Sequence, residues 1–415
     1  MSSRVASDSR SLGRLQAFWW FFLLAESAVL VSCYWYLSAR FHLPAGPLAG
    51  AERWLLLAAL VIGIELWLVR RNLRKNHRRG ETHLLPSLGI GNTLTLIRGL
   101  AYALMAGFLF APRPEGWLAW APAILYSVAC FADFFDGYFA RLTDHSTVLG
   151  EVLDVEFDGL GMLVAISLAI QYGQLPWIYL LIGLGRPLFV WGLRWRAQRN
   201  LPEFPMTPSA NRRIVAGVQM GFMMILLWPV FTPPLTYLVA LMFGGPIVAS
   251  FARDWFVMTG VIDPASAGYR RMHGAIQQIL FAWLPVVFRY GGAALTAMIL
   301  WRVFQDRTLW ITLPSPFDVI APSITGVVLV LGTVAVASAL LGVAGRIVGI
   351  VFVIVACVDA LAVGLGLDNG SLLVVAATLV MTGTGRFALW TPEEYLFNTR
   401  TGQRKPARPK MERSA

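Results

Sequence analysis

Cysteine is almost missing from this chain: three in 415 residues, Cys33, Cys130 and Cys357, each within or at the end of an apolar run and far from the others. That excludes a disulfide framework and any cysteine-based zinc spacing, and the three read as buried single thiols. Charge is scarce too, at 14% of residues against 57% hydrophobic, which excludes a soluble globule and leaves a polytopic membrane protein. The five histidines are scattered, and His145 reads as solvated or facing lipid headgroups rather than as a ligand. No cleavable signal peptide is recognisable, because the first apolar run is too long for one and no small-residue cleavage site follows. Internal repeats, soluble domains and low-complexity segments are also missing. Acids are outnumbered, 23 Asp and Glu against 34 Lys and Arg, for a formal charge of +11. The bases gather at the ends of apolar runs, which argues for positive-inside topology and contact with anionic lipids or substrate, and against nucleic acid.

What is present is a succession of apolar runs. They predict an all-α integral membrane protein with about twelve transmembrane helices, at roughly 16–38, 52–72, 92–111, 118–140, 149–171, 174–193, 211–230, 235–252, 283–304, 318–339, 343–366 and 370–388. Twelve spans put both termini and every strongly basic loop on one side, the cytosolic one. The expected divisions are a two-helix hairpin with a basic linker (1–85), a six-helix core (86–255), an interfacial cytosolic connector (256–282), a four-helix membrane region (283–390) and a basic cytosolic tail (391–415). Glu26, Glu65 and Asp359 fall inside spans. Each reads either as a functional intramembrane acid or as a partner in helix–helix pairing.

One stretch organises the rest. Residues 133–158 read DFFDGYFARLTDHSTVLGEVLDVEFD, a D-x2-D-G-x2-A-R-x8-G-x3-D-x3-D pattern across the ends of two apolar runs. At about 100° per residue, Asp133, Asp136, Gly137 and Ala140 share one helix face. Gly150, Asp154 and Asp158, spaced four apart, form a stripe on the next helix. If the stripes face each other, four carboxylates converge. Such a cluster is prohibitively repulsive in apolar surroundings unless cations offset it, and two divalent ions would. The small residues Gly137, Ala140 and Gly150 leave room for a flat or bulky ligand.

This stretch resembles, position for position, the signature of the CDP-alcohol phosphotransferases, membrane enzymes that displace CMP from a CDP-linked alcohol. GNTLTLIRGL adds the N-x-x-T-x-x-R opening of that family's first core helix, as Asn92, Thr95 and Arg98, with Asn92 expected to cap the helix. The resemblance implies Asp133, Asp136, Asp154 and Asp158 as ligands of two divalent cations, Mg²⁺ or Mn²⁺, with Asp158 also the general base. It implies Asp136, Gly137, Ala140, Arg141 and Gly150 around the CDP moiety. RPLFVWGLR and NRRIVAGVQ resemble, more loosely, the phosphatidylglycerophosphate synthase branch. Arg186, Arg194 and Gln219 fit that branch, and Arg213 stands where it has lysine. Pro187 and Ala216 depart from its glutamate and threonine. Arg186, Arg194 and Arg213 would then hold an acceptor phosphate, since arginine forks suit phosphate geometry. GTGRFALW faintly resembles the close of DoxX-like four-helix membrane proteins.

The resemblance implies a phospholipid-synthesis enzyme that moves a phosphatidyl group from CDP-diacylglycerol to a polar acceptor such as glycerol 3-phosphate or inositol phosphate. Its active site would face the cytosol of a bacterial plasma membrane, with membrane lipids around it and room for a homodimer. The alternatives are transfer from a CDP-amino-alcohol to diacylglycerol and, in another class, a polytopic transporter, which would need paired, interrupted helices in two related halves.

Overall fold

A computed structural model describes residues 2–40, 50–202, 204, 210–229, 231–306 and 321–393, and the regular elements among them are helical. The chain forms two units, 1–164 and 165–398, and the boundary falls inside one helix.

The first unit opens with α1 (Ser2–Ser38) and α2 (Ala51–Asn72), packed as a hairpin. α3 (Gly89–Ala106) lies against α2 and, along most of its length, against α4 (Ala121–Leu142). α5 (Val148–Gln171) follows a short turn and runs on into the second unit. Helices are the expected answer to lipid, where every backbone N–H and C=O must be satisfied within its own segment. Large apolar side chains such as Trp20, Phe21, Leu24 and Trp35 stand more than half exposed along α1, a face that suits a bilayer and not water. The middle helix, α3, admits its neighbours through glycine. A Cβ at Gly91 would stand 3.0 Å from Ala140 Cβ and from the Asp136 carbonyl oxygen, and one at Gly107, the residue that caps the helix, would run into the Trp54 ring. Small residues of this kind bring helices close where no water drives them together.

The second unit comprises α6 (Leu180–Gly183), α7 (Gly185–Gln198), α8 (Ala210–Leu226), α9 (Leu235–Met258), α10 (Ala267–Gln278), α11 (Leu284–Gln305), α12 (Ala321–Leu341), α13 (Gly345–Val363) and α14 (Leu367–Thr382). The last four bury a common core around Ile299, Phe352, Leu372 and Leu379. Asp359, fully buried on α13, accepts both Arg302 Nη2 contacts, at 2.8 and 2.7 Å, and one from Asn369 Nδ2 at 2.9 Å. Arg302 Nη1 also donates to Asp368 at 2.7 Å. This is the helix-pairing alternative for Asp359: an ion pair joining α11, α13 and α14.

The expected twelve spans are not what the structure holds. Among the described residues, five helices are long and apolar enough to cross a membrane: Asp8–Ser38, Gly116–Leu142, Leu235–Met258, Ala267–Gln305 and Gly345–Val363. Thr325–Leu341 and Leu367–Thr382 are apolar but shorter. The difference has physical causes. The expected span at 174–193 is interrupted: α6 is one turn, and α7 starts afresh at Gly185 with Pro187, which has no N–H to donate, in its first turn. α7 then runs only 14 residues and carries three arginines. α2 carries Glu52, Arg53, Glu65, Arg70 and Arg71, and the first half of α5 carries four acids. The tail at 394–415 and the start of the expected tenth span lie outside the described residues.

Candidate active site

The site is built at the facing ends of α4 and α5. α4 closes at Thr143, and Asp144 turns the chain with a left-handed backbone, φ 52°. Thr147 starts α5: its Oγ1 accepts from Gly150 N at 3.1 Å, meeting one of the helix's unsatisfied donors. Asp154, the first acid of the α5 stripe, follows two turns on.

The linker after α2 grips this turn. Arg78 Nε donates to the Asp144 carbonyl at 3.0 Å and its guanidinium pairs with the Asp144 carboxylate at 3.2 Å. Val148 N donates to His77 O at 3.0 Å, and Arg79 pairs with Glu151 at 3.3 Å. His145 Nε2 lies 3.1 Å from Ser87 O, so this histidine secures the loop. Asn92 does not cap α3, which begins three residues earlier at Gly89. Its Nδ2 instead donates to Thr147 Oγ1 at 3.3 Å, tying α3 to the start of α5.

All four aspartates meet one cation, Arg98 of α3, whose side chain is fully buried. Its Nη1 pairs with Asp133, lies 3.5 Å from Asp136 Oδ2 and 3.4 Å from Asp158 Oδ1, and Nη2 donates to Asp154 Oδ1 at 3.0 Å. Thr95, one turn before Arg98, donates to Asp136 Oδ2 at 3.0 Å. So the two faces do converge. One oxygen each from Asp133, Asp154 and Asp158 lie within 4.8 Å of one another, while Asp136 stands outside that trio, more deeply buried. The Asp154 and Asp158 side chains are 47% and 37% exposed, which leaves the trio open on one side. Three hard carboxylate oxygens at this separation fit a divalent cation such as Mg²⁺ or Mn²⁺.

The small residues sit in close packing. Beside Gly150 the space is filled: a Cβ there would stand 2.6 Å from Asn92 Oδ1, and Ala140 faces Gly91. At Gly137 the neighbour is the Arg141 guanidinium, 3.0 Å from where a Cβ would be, the far end of a flexible side chain. Arg186 and Arg194 lie on α7 in the second unit, two turns apart, half-buried and exposed respectively. Arg213 is on the first turn of α8, and its side chain falls outside the described residues.

The role of Arg98 as the hub of the aspartates is the part that reading the sequence missed. It treats the residue as part of a helix opening. An arginine within an apolar helix, one turn from a threonine, is itself a signal that buried acids wait elsewhere.

Carboxylates from adjacent helices, gathered around one buried guanidinium with three oxygens at metal-ligating separation, define a candidate divalent-metal site. Comparisons with known proteins make this specific. The family profile described as CDP-alcohol phosphatidyltransferase matches residues 88–262. A CDP-diacylglycerol–glycerol-3-phosphate 3-phosphatidyltransferase of Cereibacter sphaeroides is 32% identical over 221 residues, 52% of this chain and 94% of that protein. A protein of the same name from Pseudomonas fluorescens is 30% identical over 176 residues, 41% of this chain and 87% of its own. A putative cardiolipin synthase of Mycobacterium bovis is 32% identical over 143 residues, 34% of this chain and 65% of its own. No solved structure matches the chain. The chain belongs to the CDP-alcohol phosphatidyltransferase family. It is an integral membrane enzyme of phospholipid synthesis, with an aspartate cluster suited to divalent metal.

Proposed function

We propose that the enzyme transfers a phosphatidyl group from CDP-diacylglycerol to the primary hydroxyl of glycerol 3-phosphate and releases CMP. The observation that carries this is the convergence of Asp133, Asp136, Asp154 and Asp158 on one buried guanidinium, three of them at metal-ligating separation. The acceptor is favoured by four relatives whose names specify glycerol 3-phosphate.

In this reading Asp133, Asp154 and Asp158, with Asp136 behind them, would hold two Mg²⁺ or Mn²⁺ ions, which would supply positive charge against the diphosphate in the transition state. Asp158 takes the proton from the acceptor hydroxyl, whose oxygen bonds to the phosphorus bearing diacylglycerol while the bond to CMP breaks. Asp136, Gly137, Ala140 and Gly150 surround the CDP moiety, and Arg141 contacts its diphosphate. Arg186, Arg194 and Arg213 take the acceptor's phosphate. The site faces the cytosol, where CMP and its nucleotide precursors are found, both termini lie on that side, and the membrane is a bacterial plasma membrane. The catalytic core is 86–255, and the hairpin 1–85, connector 256–282, bundle 283–390 and tail 391–415 are additions to it.

A second acceptor, phosphatidylglycerol, is favoured by the relatives named as putative cardiolipin synthases. The test is CMP release by purified protein with CDP-diacylglycerol, Mg²⁺ and each of glycerol 3-phosphate, phosphatidylglycerol, inositol phosphate, inositol and serine. Release should require glycerol 3-phosphate; release with phosphatidylglycerol alone would move the assignment to the second acceptor. With the accepted substrate, Arg186→Ala should raise the acceptor KM about tenfold or more, as expected for a lost charge-assisted contact. The donor KM should stay within about twofold. Equal changes in both would remove Arg186 from the acceptor site.

A further inference from the structure

The N-terminal hairpin lies outside the 88–262 segment that the family profile matches, yet it delivers an acid to the back of the site. Glu65, on α2, is 2% exposed, and its Oε1 has no hydrogen-bond partner. Its other oxygen lies 2.7 Å from where a Cβ on Gly99 would stand, so the carboxylate rests against the α3 backbone at the residue next to Arg98. The absence of a side chain at Gly99 permits that approach. Glu65 interacts electrostatically with Arg98 and with Glu26 of α1, itself 5% exposed. Arg98 has its own unmatched atom: Nε is buried with no partner, while Nη1 and Nη2 are spent on the aspartates. A buried donor on a cation and a buried acceptor on an acid, both unsatisfied in the same region, are chemically complementary.

A divalent cation at Asp133, Asp154 and Asp158 would compete with the guanidinium for the same oxygens. Arg98 cannot leave for water, because its side chain is fully buried. A buried cation deprived of its partners is costly unless another anion is in reach.

We infer that Glu65 is the second counter-ion of Arg98, a positioning residue that takes up the guanidinium when divalent cations take the aspartates. This rests on the metal reading above. Glu65 then acts on metal affinity through Arg98, and the extra hairpin is part of the active-site machinery.

The experiment measures Mn²⁺ binding by electron paramagnetic resonance on the full-length protein in detergent, without substrate, alongside the thermal midpoint of the metal-free protein. Glu65→Gln should lower Mn²⁺ affinity about tenfold or more while the metal-free midpoint stays near wild type. Gly99→Ala keeps every charge but crowds the carboxylate, and should weaken Mn²⁺ in the same direction. Glu26→Gln removes a second buried acid near Glu65 and should not weaken it. In an Arg98→Gln background, Glu65→Gln should have no further effect, since the residue it serves is gone. Wild-type protein that takes up no Mn²⁺ would overturn the metal reading and this inference with it. Equal affinity in wild type and Glu65→Gln, or a loss that persists undiminished without Arg98, would overturn this inference alone.

Discussion

Asp158→Asn is expected to cut CMP release by about 10³-fold or more, with the protein still folded. Asparagine preserves shape but neither binds a hard cation as strongly nor accepts the hydroxyl proton. Loss of a general base alone removes about 10²–10⁴-fold. The fold should tolerate the change, because Arg98 retains Asp133, Asp136 and Asp154 as partners. Asp136→Asn should be similarly inactive for a different reason: it disturbs the buried carboxylate that Thr95 and Arg98 both hold. Glu156, exposed on the same helix and offset from the Asp154–Asp158 stripe, supplies the control, and Glu156→Gln should retain near-normal release. Activity of Asp158→Asn within about tenfold of wild type would remove the residue from the role of base.

The second large effect is on stability. Arg98→Met leaves four carboxylates facing one another without their shared guanidinium. Breaking a buried ion pair by removing one partner costs about 3–5 kcal/mol. The thermal midpoint of the metal-free protein should therefore fall clearly below wild type. Divalent metal should reverse much of the loss, because a ligand that binds only the folded state stabilises it, and here it replaces a missing positive charge. Mn²⁺ should thus raise the midpoint of Arg98→Met by more than it raises wild type. An unchanged metal-free midpoint would mean that the guanidinium is not what relieves the cluster.

These two residues mark the limit of what the chain discloses before its structure is seen. Asp154 and Asp158 are legible because their spacing is local. Four residues apart on a helix means one face, and α5 begins at Val148, one residue from where the apolar pattern puts it. The same holds for Asp133 and Asp136 on α4. Arg98 is legible as a residue and not as a hub, because its partners lie on two other helices far along the chain. Glu65 is further removed still, since only packing reveals that Gly99 lets it reach the α3 backbone. The span count went astray where hydropathy cannot see a break. Pro187 and the single turn of α6 divide one apolar run, and the acids of α5 occupy half of another. The linker shows the same limit. Its arginines read as topology signals, and Arg78 and Arg79 also clasp the α4–α5 turn.

The proposed chemistry needs carboxylates from α4 and α5 to hold divalent cations jointly against a nucleotide diphosphate. The direct measurement is CMP release by the wild-type enzyme after exhaustive chelation, followed by titration of Mg²⁺ or Mn²⁺. Release should vanish in chelator and return in full as either ion is restored. Undiminished turnover in metal-free buffer would contradict it.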